Sequence, residues 1–415
     1  QKVDVERQEL EVELDRIPDV QGAMVVLDNK TGAIKAMVGG FDFELSKFNR
    51  VTQAMRQPGS IFKPFTYLVA LEEERSPHER VLDVPVSYLD DVGNLYQPKN
   101  SDDEFKGLIP MYQALAESRN VPTIRLAKEL GVGKIIEVAH RFGIQNKFLP
   151  VLSIALGSVE TSLLQLCSAF SAFPNSGVRA EPHYIVKVED YQGVTQQEQR
   201  MRFEQATSPD IAAKMVYLLK QVVLKGTARR ANSLGRAVAG KTGTTNESTD
   251  VWFVGFTPDI TAGVWVGYDE KKSLGEKIYG SNLALPIWIE FMDSALERFP
   301  KREFDNVYRP TPLEITRAER KATHQMVDRP IQVEEIPPAL SSLWQIKEMT
   351  SVVVVRLEDT NASVMEYLDS MGILPDTEIY VLEKGPLNAT ILISLDGVEH
   401  SLSESLARQI FVKIE

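Results

Sequence analysis

Five short β-rich segments lie at the two ends of one long stretch, and that split limits the possible folds more than any other feature. Residues 23–28 (Ala-Met-Val-Val-Leu-Asp) and 33–38 (Ala-Ile-Lys-Ala-Met-Val) have strand composition. The turn-rich run Asn29-Lys30-Thr31-Gly32 joins them, which predicts a hairpin. Residues 237–244, 251–257 and 260–269 are again short, rich in β-formers and bounded by Gly, Pro or Asp, which predicts an antiparallel meander. Between the two groups the chain is mostly helical. Apolar residues recur at helical spacing in 111–116, 121–130, 133–142, 161–173 and 211–224, with a short strand expected at 184–190. A helix over 60–74 follows the first hairpin and another over 284–298 follows the meander. One sheet closed by both ends, with helices between, is a mixed α/β domain over about 20–300.

With 415 residues the chain has room for a second, smaller domain. After Phe299-Pro300 the composition turns polar and proline-bearing, with Pro310, Pro312, Pro330, Pro337 and Pro338, which predicts a linker over 301–340. In 341–415, residues 352–357 and 377–382 are strand-like. Asp396-Gly397 between 390–395 and 398–402 is a hairpin signal, so a small β-barrel with one or two short helices is expected. Residues 1–19 carry charges at helical spacing and predict a linker helix.

A net charge of −12 argues against nucleic acid as a partner, since phosphate binding needs a concentrated basic surface. The single cysteine, Cys167, excludes an intramolecular disulfide and sits in a run expected to be a buried helix. No run approaches the ~18 apolar residues of a membrane span. His78, His140, His183, His324 and His400 never pair at metal-ligand spacing, so neither zinc nor any cofactor is expected.

Three short motifs carry chemistry. In Arg56-Gln57-Pro58-Gly59-Ser60-Ile61-Phe62-Lys63, proline and glycine set a turn and Ser60 opens the helix, with Lys63 one turn on and on the same face. A serine hydroxyl needs a neighbouring base, and a lysine can be one if burial and nearby cations depress its pKa. In Ser118-Arg119-Asn120, a turn between two helices aims a hydroxyl and an amide into a cleft. In Lys241-Thr242-Gly243-Thr244, a lysine and two hydroxyls on an edge strand can hold a carboxylate, and Gly243 lets a substrate backbone come close. Singly, these are a helix start, a capping turn and a common loop. Their order and their placement on helix, turn and late strand match a serine acyl-transferase signature.

At these residues the chain resembles the transpeptidase domain of class A penicillin-binding proteins. The likeness includes Phe48-Asn49-Arg50, Gln53-Ala54, Arg56 through Phe65, Pro98-Lys99-Asn100, Ala114-Leu115-Ala116, Ala155-Leu156-Gly157-Ser158, Gly240 through Thr245 and Asp250 through Gly255, over about 20–298. It implies a penicillin-binding, serine β-lactamase-like fold with a five-stranded antiparallel sheet and a helical subdomain. It further implies that Ser60 attacks the D-Ala-D-Ala carbonyl of a peptidoglycan stem peptide, with Lys63 as base. Ser118 and Lys241 would pass the proton to the leaving D-alanine. Asn120 would bind the substrate amide, and Thr242 and Thr244 its carboxylate. The backbone N–H groups of Ser60 and Thr244 would form the oxyanion hole, and β-lactams would acylate Ser60. An extracytoplasmic site is implied, with a membrane anchor in a preceding N-terminal part. No glycosyltransferase domain is visible, and Arg119 adds a positive charge near the cleft.

The run from Tyr367 to Ile379, with Ser401 through Ala407, resembles the SH3-like domain of iron-dependent repressors and ferrous-iron transport accessory proteins. An interaction module is favoured over a metal sensor, with Glu358, Asp359 and His400 as conceivable ligands and solvated charges as the preferred account. Asp102-Asp103-Glu104 and Glu72-Glu73-Glu74 are expected to be solvated, and Trp252, Phe253 and Phe256 to be sheet core or a wall of the cleft. Three functions stay open: a D,D-transpeptidase, a D,D-carboxypeptidase, and a β-lactam receptor that acylates once. A β-lactamase lacks a candidate base for deacylation.

Overall fold

The computed structural model describes residues 2–4, 9–11, 17–89, 95–318, 341–357, 368, 370–374, 377–385, 390–395, 397–408 and 410–414. The chain divides into two compact units, Gln1–Pro85 with Pro98–Thr323, and Val86–Gln97 with His324–Glu415.

The first unit is built on a five-stranded antiparallel sheet made from both ends of the domain. Its strands are β1 (Gln21–Asp28), β2 (Ile34–Val38), β3 (Ala239–Thr244), β4 (Asp250–Phe256) and β5 (Ile260–Gly267), in the order β3-β4-β5-β1-β2. The β1–β2 turn is set by Asp28, whose Oδ1 accepts from Lys30 N, Thr31 N and Thr31 Oγ1, while Gly32 takes φ +77°. Every residue of β4 and β5 is buried, so both faces of the sheet are covered. Helix α5 (Leu163–Ser171) lies on one face, where Cys167 Sγ and Leu163 stand against Gly263. Helix α7 (Ala284–Ala295) lies on the other, where Trp288 packs on Gly255 and Phe253 and donates to the Ala262 carbonyl at 2.9 Å. Gly263 pairs with Val254 and Ala262 with Gly255, so the two contacts fall on opposite faces.

The helical part comprises α1 (Lys63–Glu72), α2 (Met111–Ala116), α3 (Asn120–Leu130), α4 (Val132–Arg141), α5 and α6 (Pro209–Leu224). Their starts follow from local chemistry. Ser162 and Gln165 form a capping box on α5, and Ser208 caps α6 with Pro209 at its first position. Helix α1 is buried along nearly its whole length, which explains its role as the axis around which α3, α4 and α6 pack. Each large apolar side chain buried there contributes about 1.5–3 kcal/mol.

Several expectations need correction. The helix expected over 60–74 is a 3₁₀ turn, Gly59–Ile61, followed by α1 from Lys63. Pro64 has no N–H to donate and can enter a helix only in its first turn, so it pins the start there. In the expected helix over 1–19, Lys2–Asp4 and Glu9–Glu11 instead pair as antiparallel strands, with Val3 opposite Leu10; the other residues of 1–16 lie outside the described residues. Charges there repeat on either template, so their spacing does not decide between helix and strand. The segment 184–190 supplies Lys187–Glu189, paired with Thr195–Glu198 in an exposed ribbon. Of the expected linker, residues 319–340 lie outside the described residues. The part before them packs on the first unit through Phe304 on Phe256 and Arg302 on Asp259.

The second unit carries a six-stranded antiparallel sheet. Its strands are β6 (Thr350–Leu357), β7 (Glu378–Gly385), β8 (Thr390–Leu395), β9 (Val398–Ser403) and β10 (Ile410–Ile414), with Ser341–Ser342 on β10, in the order Ser341–Ser342, β10, β6, β7, β8, β9. The expected hairpin forms, with Leu395 opposite Val398 and Gly397 at φ +82°; Asp396 lies outside the described residues. Alternating Ile391, Ile393 and Leu395 face a core shared with Val352, Val354, Ile379, Val381 and Val412. A short helix, Glu404–Ala407, is capped by Ser403. Glu358 and Asp359 lie outside the described residues, as do Tyr367, Asp369, Pro375 and Asp376, and among the described residues no cluster could hold a metal ion.

Candidate active site

The three motifs meet at one edge of the first sheet. Ser60 lies on the 3₁₀ turn, half-buried, and no hydrogen bond to its hydroxyl is formed among the described residues. That turn is pressed between backbones. A Cβ on Gly157 would fall 2.1 Å from the Gly59 carbonyl oxygen, and one on Gly59 would fall 2.5 Å from that of Thr244. Both glycines have positive φ, so their lack of a side chain serves conformation and approach together. At Gly243 only close approach applies: a Cβ there would meet Pro58 O at 2.5 Å and Ile61 Cγ1 at 2.6 Å, so its lack of a side chain admits the serine-bearing turn. Trp252 Nε1 donates to Gln57 O at 2.9 Å, and Arg56 pairs with Asp250 at 2.8 Å, tying the turn to β4. Trp252, Phe253 and Phe256 are sheet core.

Lys63 and Lys241 are both fully buried and converge on Ser118. Lys63 Nζ donates to Ser118 O at 2.5 Å and Asn120 Oδ1 at 2.6 Å, and reaches Ser118 Oγ at 3.3 Å. Lys241 Nζ donates to Ser118 Oγ at 2.8 Å and Thr242 O at 3.1 Å. Among the described residues neither has a carboxylate partner. Burial, then Lys241 and Arg119, hold Lys63 well below the ordinary lysine value of 10.5, and burial brings Lys241 to about 7. A neutral Lys63 amine satisfies Ser118 O and Asn120 Oδ1 with its two N–H bonds and keeps a lone pair for a proton.

Strand β3 is the outer strand of the sheet. Thr245 N bonds to Asp250 O, and antiparallel pairing alternates, so the backbone N–H and C=O groups of Thr244 and Thr242 point off the free edge. The Thr242 hydroxyl bonds Thr227 Oγ1 at 2.7 Å, and the Thr244 hydroxyl accepts from Gly280 N at 3.1 Å. Asn120 Nδ2 donates to Lys99 O at 2.7 Å. Beside Ser118 a cavity of about 190 Å³ is lined by Asn100, Ser101, Asp102, Glu117, Arg119 and Tyr279.

Arg119, which lines this cavity and whose charge helps lower the Lys63 pKa, is itself paired. It is 3% exposed, with Nε on Asp83 Oδ2 at 2.8 Å, one terminal nitrogen on Asp102 Oδ2 at 2.5 Å and the other on the Glu104 carbonyl. Asp102-Asp103-Glu104 is exposed, as expected, although Asp102 also pairs with Arg119. Glu73 and Glu74 are exposed too, whereas Glu72 is half-buried against Arg141, because a charge run shows no sign of a partner distant in the chain. Asp83, Thr227, Tyr279 and Gly280 were missed as well. Only Gly226-Thr227, a turn signal directly after α6, could have flagged one of them.

A serine on a glycine-framed turn, two buried lysines and an edge strand at one end of an antiparallel sheet define a penicillin-binding transpeptidase domain. Residues 22–292 match the family model described as the penicillin binding protein transpeptidase domain, and the chain belongs to this family. Residues 342–414 match the FeoA domain. Penicillin-binding protein 1A of Neisseria lactamica is 44% identical over 292 residues, covering 68% of this chain and 37% of that protein. Its counterpart in Aquifex aeolicus is 42% identical over 290 residues, covering 70% and 40%. The chain therefore spans well under half the length of these relatives. Among solved structures, penicillin-binding protein 1A of Haemophilus influenzae superposes with a TM-score of 0.67 at 30% identity, covering 70% of this chain and 50% of that one. PonA1 of Mycobacterium tuberculosis, in complex with penicillin V, gives 0.62 at 28%, covering 71% and 85%.

Proposed function

We propose that the first unit is a peptidoglycan D,D-transpeptidase acting through a serine acyl-enzyme. The observation that carries this is the meeting of two buried, carboxylate-free lysines on the Ser118 hydroxyl, beside a serine whose own hydroxyl is unengaged. Ser60 Oγ attacks the carbonyl between two terminal D-alanines, and its proton passes to the neutral Lys63 amine. The tetrahedral oxyanion lies between the N–H groups of Ser60 and Thr244. One such donor is worth about 2.7–4 kcal/mol of transition-state stabilisation. Lys63, Ser118 and Lys241 form a relay that returns the proton to the departing D-alanine amine. Asn120 binds the substrate amide, and the β3 edge with Thr242 and Thr244 takes the terminal carboxylate. The acyl group then passes to an amine of a second stem peptide. Transfer to water would make the enzyme a carboxypeptidase.

The transpeptidase domain is assigned to 20–300 and the SH3-like barrel to 341–415, supported by the matches over 22–292 and 342–414. Cross-linking joins stem peptides of the assembled wall, outside the cytoplasm, so an extracytoplasmic site follows from the proposed reaction. Among the described residues no helix is long and apolar enough to cross a membrane. β-Lactams, the class to which penicillin V in the PonA1 complex belongs, would acylate Ser60.

The test is intact-protein mass spectrometry after mixing with a penicillin, followed by peptide mapping. A stable adduct on the Ser60 peptide, absent from Ser60→Ala, is expected. An adduct of equal yield in Ser60→Ala would remove Ser60 from the mechanism.

A further inference from the structure

We infer that Arg119 is a positioning residue for acylation: its guanidinium, locked onto Asp83 and Asp102, fixes the turn whose Ser118 carbonyl and Asn120 amide hold Lys63. This rests on the acyl-transfer reading above and adds a residue to it.

The turn between α2 and α3 has only three residues, Glu117, Ser118 and Arg119, and it must present several atoms accurately. Ser118 Oγ faces both lysines, while Ser118 O and Asn120 Oδ1 take the two short bonds from Lys63. Ser118 holds φ +58° as the left-handed residue that closes α2, with its N–H on Leu115 O at 3.1 Å and that of Arg119 on Ala114 O at 2.9 Å. The start of α3 has no such local closure. Arg119 occupies the N-cap of α3 and its side chain caps nothing. The orphan N–H groups of Asn120 and Val121 are instead capped by Asn100 Oδ1, at 2.8 and 3.2 Å.

Asn100 and Arg119 share their anchor. Asn100 Nδ2 donates to Asp83 Oδ1 at 2.7 Å and Arg119 Nε to Asp83 Oδ2 at 2.8 Å. Asp83 is wholly buried on the strand Arg80–Asp83, which is not part of the cleft. Asp102 and the Glu104 carbonyl fill the rest of the guanidinium fork, so three acceptors in three directions hold it. A lysine ammonium carries the same charge but cannot present that planar fork. Burial opposes the charge on Arg119, but Asp83 and Asp102 outweigh it and raise its pKa further, so the clamp stays charged across the working range.

The test separates the acylation rate constant from the dissociation constant of the preceding noncovalent complex, using stopped-flow reaction of the full chain with a fluorescent penicillin. Arg119→Lys should lower the rate constant at least about tenfold and weaken the noncovalent complex by several-fold less, because the base moves while the β3 edge that takes the carboxylate stays in place. Asp102→Asn weakens the clamp at its half-exposed end, and its rate constant should fall a few-fold in a fully folded protein. It decides the matter if Arg119→Lys fails to fold. Rate constants within twofold of the unaltered protein in the folded variants would overturn the inference, and so would equal losses in both constants. If the unaltered protein itself is not acylated at Ser60, it is the underlying acyl-transfer reading that has failed.

Discussion

Replacing Lys241 with methionine should stabilise the protein at pH 7 while removing most of its reactivity towards penicillins. Lys241 is fully buried, and burial brings its pKa from 10.5 to about 7. In the unfolded chain the amine is solvated and holds its proton. At 1.36 kcal/mol per pKa unit, keeping this lysine in the fold at pH 7 costs about 4 kcal/mol. Methionine is similar in length and carries no charge. It forfeits the bonds to Ser118 Oγ and Thr242 O, at about 1 kcal/mol each. The net gain is therefore roughly 2 kcal/mol, or about 4–8 °C in Tm for a domain of this size. Removing Lys241 also relieves Lys63, whose pKa it depresses, which acts in the same direction. Between pH 7 and 10.5 the unfolded state binds the proton that the folded state has released, so the unaltered protein gains stability as pH rises. The advantage of the variant should shrink through that window and reverse at about pH 9. Thermal melts at pH 7 and pH 10, with penicillin labelling in parallel, measure this. A variant that melts no higher than the parent at pH 7, or a gap unchanged at pH 10, would refute the reasoning.

Gly157→Ala should displace the Ser60 turn, destabilising the first unit by about 2–3 kcal/mol and cutting acylation at least about tenfold. Gly235→Ala, at a similar positive φ with open space around it, should cost about 1 kcal/mol and leave acylation intact; urea unfolding and penicillin labelling compare the two. Cys167→Ser should lose about 1–3 kcal/mol, because its hydroxyl would be buried against Gly263, with no change in acylation. The native thiol, whose pKa burial raises, should react with thiol reagents only on unfolding.

Much of this architecture was legible because it rests on periodicity and punctuation. The strands over 21–38 and 239–267 and the helices between them carry their own apolar spacing, and Ser162, Ser208 and Gly32 mark starts and turns. Segments whose pattern fits two templates were not legible. The charged residues 2–4 and 9–11 pair as strands, and the serine motif lies on a 3₁₀ turn because Pro64 delays the helix.

For the site, residue type and order along the chain were enough to nominate Ser60, Lys63, Ser118, Asn120, Lys241, Thr242 and Thr244, because their chemistry is intrinsic to the side chains. Burial decided the rest. Desolvation lowers the pKa values of Lys63 and Lys241, and it depends on what the fold places around them rather than on any local run. That Gly243 admits the serine turn was not legible, since only the folded chain brings Pro58 against β3. Arg119 read as a positive charge near the cleft, and only the fold shows that Asp83, 36 residues earlier, pairs with it. Such pairings leave no trace in local pattern, because a contact between distant residues exists only once the backbone has brought them together.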